Sequence, residues 1–162
     1  MGFFKNLFKP SGIELLAPVK GSAVPLSEVS DPTFSQEILG KGVAVRPSGN
    51  QIVAPCDATI DMMFDTGHAV SMTSDDGAEI LIHVGLETVN LKGKFFKVFA
   101  KNGDKVKAGQ LLIEFDAEGI RNAGYDLITP IVICNSDDYS AVTPVTGKDV
   151  ETGEKILVLE KK

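Results

Sequence analysis

The chain has 162 residues, 43% of them hydrophobic, and a net charge of −6 at pH 7. This length suits one domain that buries roughly 70% of its unfolded surface, and the negative charge argues against a nucleic-acid partner, because binding to phosphates needs an excess of lysine and arginine. Its two cysteines are too few for a disulfide framework, so we expect a protein of the reducing cytoplasm.

The N-terminus is predicted to be a flexible tail, residues 1–13. Apolar residues recur in it at helical spacing and lysines lie off that stripe: Phe3, Phe4, Leu7 and Phe8, with Lys5 and Lys9. The segment lacks the features of a signal peptide and is too short to span a bilayer. Residues 1–9 therefore predict either a weak peripheral contact with a membrane surface or a frayed terminus.

Short apolar runs separated by Gly, Pro, Asn and Asp follow the tail and predict β-strands, because they are about five to seven residues long and rich in β-branched side chains. The predicted strands are residues 14–18, 42–46, 51–54, 59–64, 69–73, 79–84, 94–99, 110–115, 127–133 and 155–159. Only residues 31–39 and 118–123 could form a helical turn or two. Residues 14–162 are thus predicted to be one all-β domain, an antiparallel β-sandwich or barrel of the barrel-sandwich type.

The only histidines of the chain, His68 and His83, flank a predicted β-hairpin. Residues 69–82 hold two apolar or alternating runs around a Ser-Asp-Asp-Gly turn signal. A two-residue loop at 75–76 would pair the histidines directly, with Cβ atoms roughly 4.5–5.5 Å apart, and a loop at 76–77 would make them diagonal neighbours. Only a loop of odd length would send the rings to opposite faces. Two of the three simplest registers therefore predict a histidine pair.

Residues 77–89, Gly-Ala-Glu-Ile-Leu-Ile-His-Val-Gly-Leu-Glu-Thr-Val, resemble the phosphorylation-site signature of the glucose-type enzyme IIA family of the bacterial phosphoenolpyruvate:sugar phosphotransferase system. The fixed positions of that signature are all present: Gly77, His83, Gly85 and Thr88. Residues 64–68, Phe-Asp-Thr-Gly-His, resemble the family's second-histidine segment, and further similarity runs from about residue 14 to 159. The resemblance implies a phosphotransferase component in which a phosphohistidine is a stoichiometric intermediate.

The residue types at these positions suit phosphoryl transfer. A nucleophilic imidazole must be neutral, with one nitrogen exposed and the other N–H held by an acceptor. A backbone carbonyl can hold His83, and Gly85 allows the chain to approach closely because it lacks a Cβ. Thr66 can hydrogen-bond His68 and fix its tautomer. No step requires a metal or another cofactor, and the sequence has no Walker-type phosphate loop.

The resemblance also implies the roles of individual residues. His83 would accept phosphate from the phosphohistidine of HPr and pass it to a cysteine of a sugar-specific enzyme IIB, while His68 would stabilise the phosphoryl group without carrying it. The acidic positions that face HPr fall on Asp31 and Glu87, which could hold an arginine of the partner; enterobacterial members have aspartate at the second position. The apolar contact surface would comprise Phe34, Ile38, Leu39, Phe64, Leu81 and Val89.

Several of these assignments have alternatives. Asp31 could instead cap a turn or helix, Glu87 could be an ordinary solvated acid, and Thr66 could be a plain strand threonine. Phe64 and Leu81 could belong to the core. Binding of regulatory target proteins by the unphosphorylated form is a further expectation from the family, whereas the sugar itself is not readable from this chain.

Two other functions compete with the phosphocarrier. A zinc-binding hydrolase could use His68 and His83 as ligands, but a third histidine is missing, although a zinc ion shared with a partner protein stays open. A biotinyl or lipoyl carrier needs a lysine at the tip of a hairpin, and residues 74–77 contain none.

Overall fold

The computed structural model describes residues 12–162, which form a β-rich fold. Its strands are β1 (Gly12–Leu16), β2 (Gly21–Val24), β3 (Lys41–Pro47), β4 (Gln51–Val53), β5 (Ala58–Met63), β6 (Ala69–Ser74), β7 (Glu79–His83), β8 (Phe96–Val98), β9 (Lys105–Val106), β10 (Leu111–Phe115), β11 (Thr129–Ile133), β12 (Tyr139–Pro144), β13 (Lys148–Val150) and β14 (Lys155–Lys161). The α-helices are α1 (Pro32–Ser35) and α2 (Ala117–Asn122), and the 3₁₀ helices are Leu26–Glu28, Thr88–Leu91 and Ser136–Asp138. The predicted membrane contact of residues 1–9 lies outside the described residues.

The strands are arranged in three antiparallel sheets, which confirms the predicted all-β fold. One sheet has the order β13-β2-β3-β11-β7-β6-β5-β9, a second β1-β14-β12 and a third β4-β10-β8. Most neighbouring strands in the large sheet are distant in sequence. For example, β11 pairs with both β3 and β7. The strand that carries His83 is thus held by a partner almost fifty residues further along the chain.

Both faces of β7 are covered, and this places His83 beside an apolar cluster. Ile80 and Ile82 point into the main core and are 1% and 0% exposed. Because side chains alternate along a strand, Leu81 and His83 point to the other face. A second buried cluster lies there, formed by Leu26, Val29, Phe34, Ala44, Leu86, Ile128 and Val132.

All ten predicted strands are present, whereas β2, β9, β12 and β13 were not predicted. The first strand begins at Gly12, two residues before the predicted start of the domain. Helix α1 is shorter than residues 31–39, since Glu37 adopts a φ of 57° and cannot continue a right-handed helix. Helix α2 matches its prediction to within one residue.

The hairpin of β6 and β7 has a register that differs from both expected ones. His83 pairs with Ala69 rather than with His68 or Val70. The loop is therefore residues 75–77, which is an odd length. The expectation that such a loop would send the rings to opposite faces is wrong, because His68 lies in an irregular turn before β6, where the alternation of a strand does not apply.

Candidate functional site

The imidazole rings of His68 and His83 meet where β7 ends and β6 begins, in the interior of the large sheet's strand order. Their centroids are 5.0 Å apart and their planes are inclined at 82°. His83 is the last residue of β7 and is partly buried, while His68 is only 4% exposed. The amide of Val84 donates to the carbonyl of His68 (2.7 Å), so the two segments remain joined beyond the end of the hairpin.

The ring of His83 is held in one tautomer by the backbone. Its Nδ1 donates to the carbonyl of Gly85 over 2.6 Å, and a carbonyl can only accept, so the proton lies on Nδ1 and the lone pair on Nε2. Burial lowers the pKa of His83 below its ordinary 6.5, although the Gly85 hydrogen bond and the charge of Asp31 oppose this shift. The ring of Phe34 packs 5.3 Å away. His83 is therefore a neutral imidazole with a nucleophilic Nε2 at pH 7.

His68 is also neutral, for a related reason. Two causes lower the pKa of His68 to about 4: burial, which is the larger, and repulsion by a charged His83. The hydroxyl of Thr66 hydrogen-bonds Nδ1 of His68, as predicted, and the ring of Phe64 packs edge-on at 5.3 Å. When the Thr66 hydroxyl donates to Nδ1, the ring proton of His68 lies on Nε2, where it can serve a neighbouring anion.

The low pKa of His68 predicts that acid destabilises the fold. The folded pKa is about 4 against an ordinary value of 6.5, so the unfolded chain binds the additional proton between these values. The contribution of His68 to the free energy of unfolding is complete above pH 6.5 and falls by about 2 kcal/mol at about pH 5. Urea unfolding at about pH 7.5 and pH 5 should show a smaller loss for His68→Gln than for the unsubstituted chain, and equal losses would contradict this prediction.

Gly85 lies in a bend that only glycine fits. Its φ is +78°, and a Cβ at this position would lie 2.7 Å from Cγ2 of Thr88 and 2.8 Å from the carbonyl oxygen of Asp126. Any side chain would be strained by both the backbone angle and the crowding. Because this bend aims the carbonyl at His83, the glycine matters to the site as well as to the fold.

Gly85→Ala is expected to lower the free energy of unfolding by about 2–3 kcal/mol. Gly77 is a matched control: its φ is +97°, but nothing lies within 4 Å of where its Cβ would be. Gly77→Ala should therefore cost only the backbone strain, about 1 kcal/mol. Urea denaturation of both variants at neutral pH measures the difference, and similar losses would show that crowding at Gly85 is unimportant.

The two predicted acidic residues each directly precede a short helix. Asp31 caps α1, where Oδ1 accepts from the amide of Thr33 over 3.0 Å. The helix-cap alternative is therefore correct, and Oδ2 is left for another donor. Its charge also acts on His83, as the pKa of that ring shows. Glu87 is exposed, with a φ of 59°, directly before the 3₁₀ helix Thr88–Leu91.

The predicted apolar contact surface is only partly exposed. Ile38, Leu39 and Val89 are 67%, 38% and 48% exposed. Phe34, however, is 4% exposed and belongs to the second buried cluster, so its assignment to the surface is wrong. The physical reason is that α1 packs this ring between the cluster and His83. Phe64 and Leu81 are partly buried.

Within residues 12–162, no group of three or more His, Cys, Asp and Glu side chains is arranged to hold a metal ion. The donor set at the histidines is thus two imidazole nitrogens, which is short of the three protein ligands usual for catalytic zinc.

No helix within residues 12–162 is long and apolar enough to cross a membrane.

Two residues of the site were not predicted to have a role there. Thr88, a fixed position of the signature, is fully buried, and its hydroxyl donates to the carbonyl of Val84 over 2.6 Å. Asp126 accepts from the amide of Leu86 over 2.9 Å through its backbone carbonyl. A buried threonine after a histidine segment is a weak sequence signal, and Asp126 has none, because its contact joins segments forty residues apart.

Comparisons with known proteins show which family the chain belongs to. Residues 13–139 match the family described as phosphoenolpyruvate-dependent sugar phosphotransferase system, EIIA 1. The chain is 42% identical to the glucose-specific EIIA component of Oceanobacillus iheyensis, covering 96% of this chain and 97% of that one, and 42% identical to that of Haemophilus influenzae over all of both chains.

Longer relatives and a solved structure are also similar. The beta-glucoside-specific EIIBCA component of Bacillus subtilis is 47% identical over 88% of this chain, which spans 24% of that protein. The structure of glucose permease IIA from Mycoplasma capricolum superposes with a TM-score of 0.84 at 29% identity, covering 93% of this chain and 97% of the other. The chain therefore belongs to the EIIA 1 family of the phosphoenolpyruvate-dependent sugar phosphotransferase system and is a phosphotransferase component.

Proposed function

We propose that this chain accepts a phosphoryl group from phospho-HPr on His83 and passes it to the cysteine of a sugar-specific enzyme IIB. The observation that carries the proposal is the hydrogen bond from Nδ1 of His83 to the carbonyl of Gly85. It leaves Nε2 as an unprotonated nucleophile at neutral pH, which is what attack on phosphorus requires.

Each transfer exchanges one bond to phosphorus for another. In the first, Nε2 of His83 attacks the phosphorus and the N–P bond of the donor histidine breaks, with its electron pair returning to the donor ring. In the second, a cysteine thiolate of enzyme IIB attacks, and the pair of the His83 N–P bond returns to Nε2. The protein contributes positioning and charge stabilisation, since the transferred group needs little other covalent chemistry.

His68 is proposed to stabilise the phosphoryl group without carrying it. Its ring lies 5.0 Å from that of His83 between centroids, and when the Thr66 hydroxyl donates to Nδ1 of His68, Nε2–H is the donor that remains. A donor in this poorly solvated position interacts strongly with the negative charge on the transferring group. Because His68 is neutral, it donates without placing a positive charge beside His83.

The surface around the histidines is proposed to receive HPr and enzyme IIB in turn. Ile38, Leu39 and Val89, which are exposed, are proposed as its apolar part, with the acids Asp31 and Glu87 at its edge. An apolar patch with acidic neighbours suits a small partner that presents apolar and basic side chains. The EIIBCA relatives, by their names, join an IIA part to IIB and IIC parts in one chain, which supports enzyme IIB as the acceptor.

Transfer of label tests the proposal directly. The full chain is mixed with ³²P-phosphoenolpyruvate, enzyme I and HPr, and acid-labile label should appear on it and then pass to an added enzyme IIB. Labelled HPr together with an unlabelled chain would refute the phosphocarrier function, and zinc binding by His68 and His83 would then be measured.

Four expectations from the sequence stay predictions. No cofactor is required for the transfer, although zinc binding at the histidine pair is open to test. Regulatory partners of the unphosphorylated form are predicted, as is weak membrane contact through residues 1–9. We also propose a cytoplasmic location.

A further inference from the structure

Both peptide groups that flank Gly85 are anchored. In the group that joins Gly85 to Leu86, the carbonyl accepts from Nδ1 of His83 (2.6 Å) and the N–H donates to the backbone carbonyl of Asp126 (2.9 Å). The C=O and N–H of a trans peptide point in opposite directions. Asp126 therefore holds this peptide group from the side opposite His83.

The preceding peptide group, which joins Val84 to Gly85, is anchored by Thr88. This threonine is fully buried, and its hydroxyl donates to the Val84 carbonyl over 2.6 Å. Its methyl carbon is 2.7 Å from where a Cβ of Gly85 would lie, so it packs directly over that glycine. A glycine would otherwise rotate easily about φ and ψ. Two anchored neighbours remove that freedom here.

We propose that Thr88 and Asp126 are positioning residues that select the reactive tautomer of His83 by holding the Gly85 carbonyl in place. If the carbonyl turned away, the Nδ1–H of His83 would lose its acceptor and the ring proton would be shared between the two nitrogens. Fewer molecules would then present an unprotonated Nε2. The consequence for the rate rests on the proposed phosphocarrier function, whereas the tautomer is a property of the unphosphorylated protein.

Thr88→Val tests the inference because it preserves the shape of the side chain and removes only the hydroxyl. In the full chain at neutral pH, the ring ¹⁵N shifts of His83 should change from those of an Nδ1-protonated ring to those of a mixture. Acceptance of phosphate from phospho-HPr should slow about five- to tenfold, as expected for the loss of one hydrogen bond. Thr88→Ser retains the hydroxyl and should retain both the spectrum and the rate.

Ser74→Ala is the control. Ser74 is also buried, and its hydroxyl accepts from the amide of Ala78 over 2.8 Å, but it lies at the turn end of β6, away from Gly85. Removal of this hydroxyl should therefore lower stability without changing the tautomer of His83. Asp126→Ala provides a second variant, since Oδ1 of Asp126 accepts from the amide of Ile128 (2.9 Å) and shapes the turn that aims the Asp126 carbonyl. It should shift the tautomer in the same direction as Thr88→Val.

The outcomes separate this inference from the proposed function. An unchanged His83 spectrum in both Thr88→Val and Asp126→Ala would overturn it, as would equal effects of Thr88→Val and Ser74→Ala on that spectrum. An unsubstituted chain that accepts no phosphate would refute the phosphocarrier. The ¹⁵N spectra of the same proteins would still decide whether Thr88 and Asp126 set the tautomer.

Discussion

His83→Gln is expected to abolish phosphate acceptance from phospho-HPr, lowering the label on this chain at least about 1,000-fold. Glutamine preserves the approximate size and polarity of histidine, and its amide can still donate to the carbonyl of Gly85. It has no ring nitrogen with a free lone pair, so no N–P bond can form. The measurement is acid-labile ³²P on the full chain in the presence of enzyme I and HPr, with labelled HPr as the internal control.

Two further measurements make this result decisive. Far-UV circular dichroism and urea unfolding should show that His83→Gln retains the fold, because the side chain is only partly buried. Label that persists on His83→Gln would place the phosphate on another residue. His68 would be the first to test, since it has the only other imidazole of the chain.

His68→Gln is expected to separate the two transfers. The variant should still become labelled at His83, because excess phospho-HPr drives the acceptance to completion even when it is slowed. Onward transfer to enzyme IIB should fall about 100- to 1,000-fold, the usual effect of removing one donor that stabilises a transition state. The measurement is the single-turnover loss of label from the isolated, phosphorylated variant after enzyme IIB is added.

Thr66→Val is the matched control for this result. It leaves the His68 ring in place and removes only the hydroxyl that bonds its Nδ1, so the ring proton is no longer directed to Nε2. Its onward transfer should be intermediate between those of the unsubstituted chain and His68→Gln. Failure of His68→Gln to accept any label, with normal acceptance by His83→Gln, would reverse the roles of the two histidines.

The all-β fold was predictable because its signals are local. Alternating or β-branched runs between turn residues recur along the chain, and every such run that was predicted is a strand. Two of the strands that were missed, β9 and β13, are only two and three residues long, and their partners are remote: Lys105–Val106 pairs with residues 58–59, and Lys148–Val150 with Gly21–Val24. Such segments become strands through hydrogen bonds to distant residues, which no local pattern contains.

The sequence by itself also determined the chemistry of the site. A dense signature around His83, a second histidine segment ending at His68 and a threonine two residues before it identified the family and led to the two histidines at which the transfer is proposed. These features can be recognised in a sequence because a reactive site depends on the types of a few residues and on their spacing along the chain. The predicted bond between Thr66 and His68 is local for the same reason, and it is present in the structure.

Only the tertiary structure decided how that pair is assembled. The hairpin register opposes His83 to Ala69, and the rings meet because His68 leaves the strand geometry in a turn. Phe34 is buried because α1 folds onto the outer face of the sheet. The amide of Leu86, which shares a peptide group with the Gly85 carbonyl, donates to Asp126, and only folding brings Asp126 near. Local patterns specify elements and reactive groups, whereas hydrogen bonds between distant segments decide which atom of a reactive group is free.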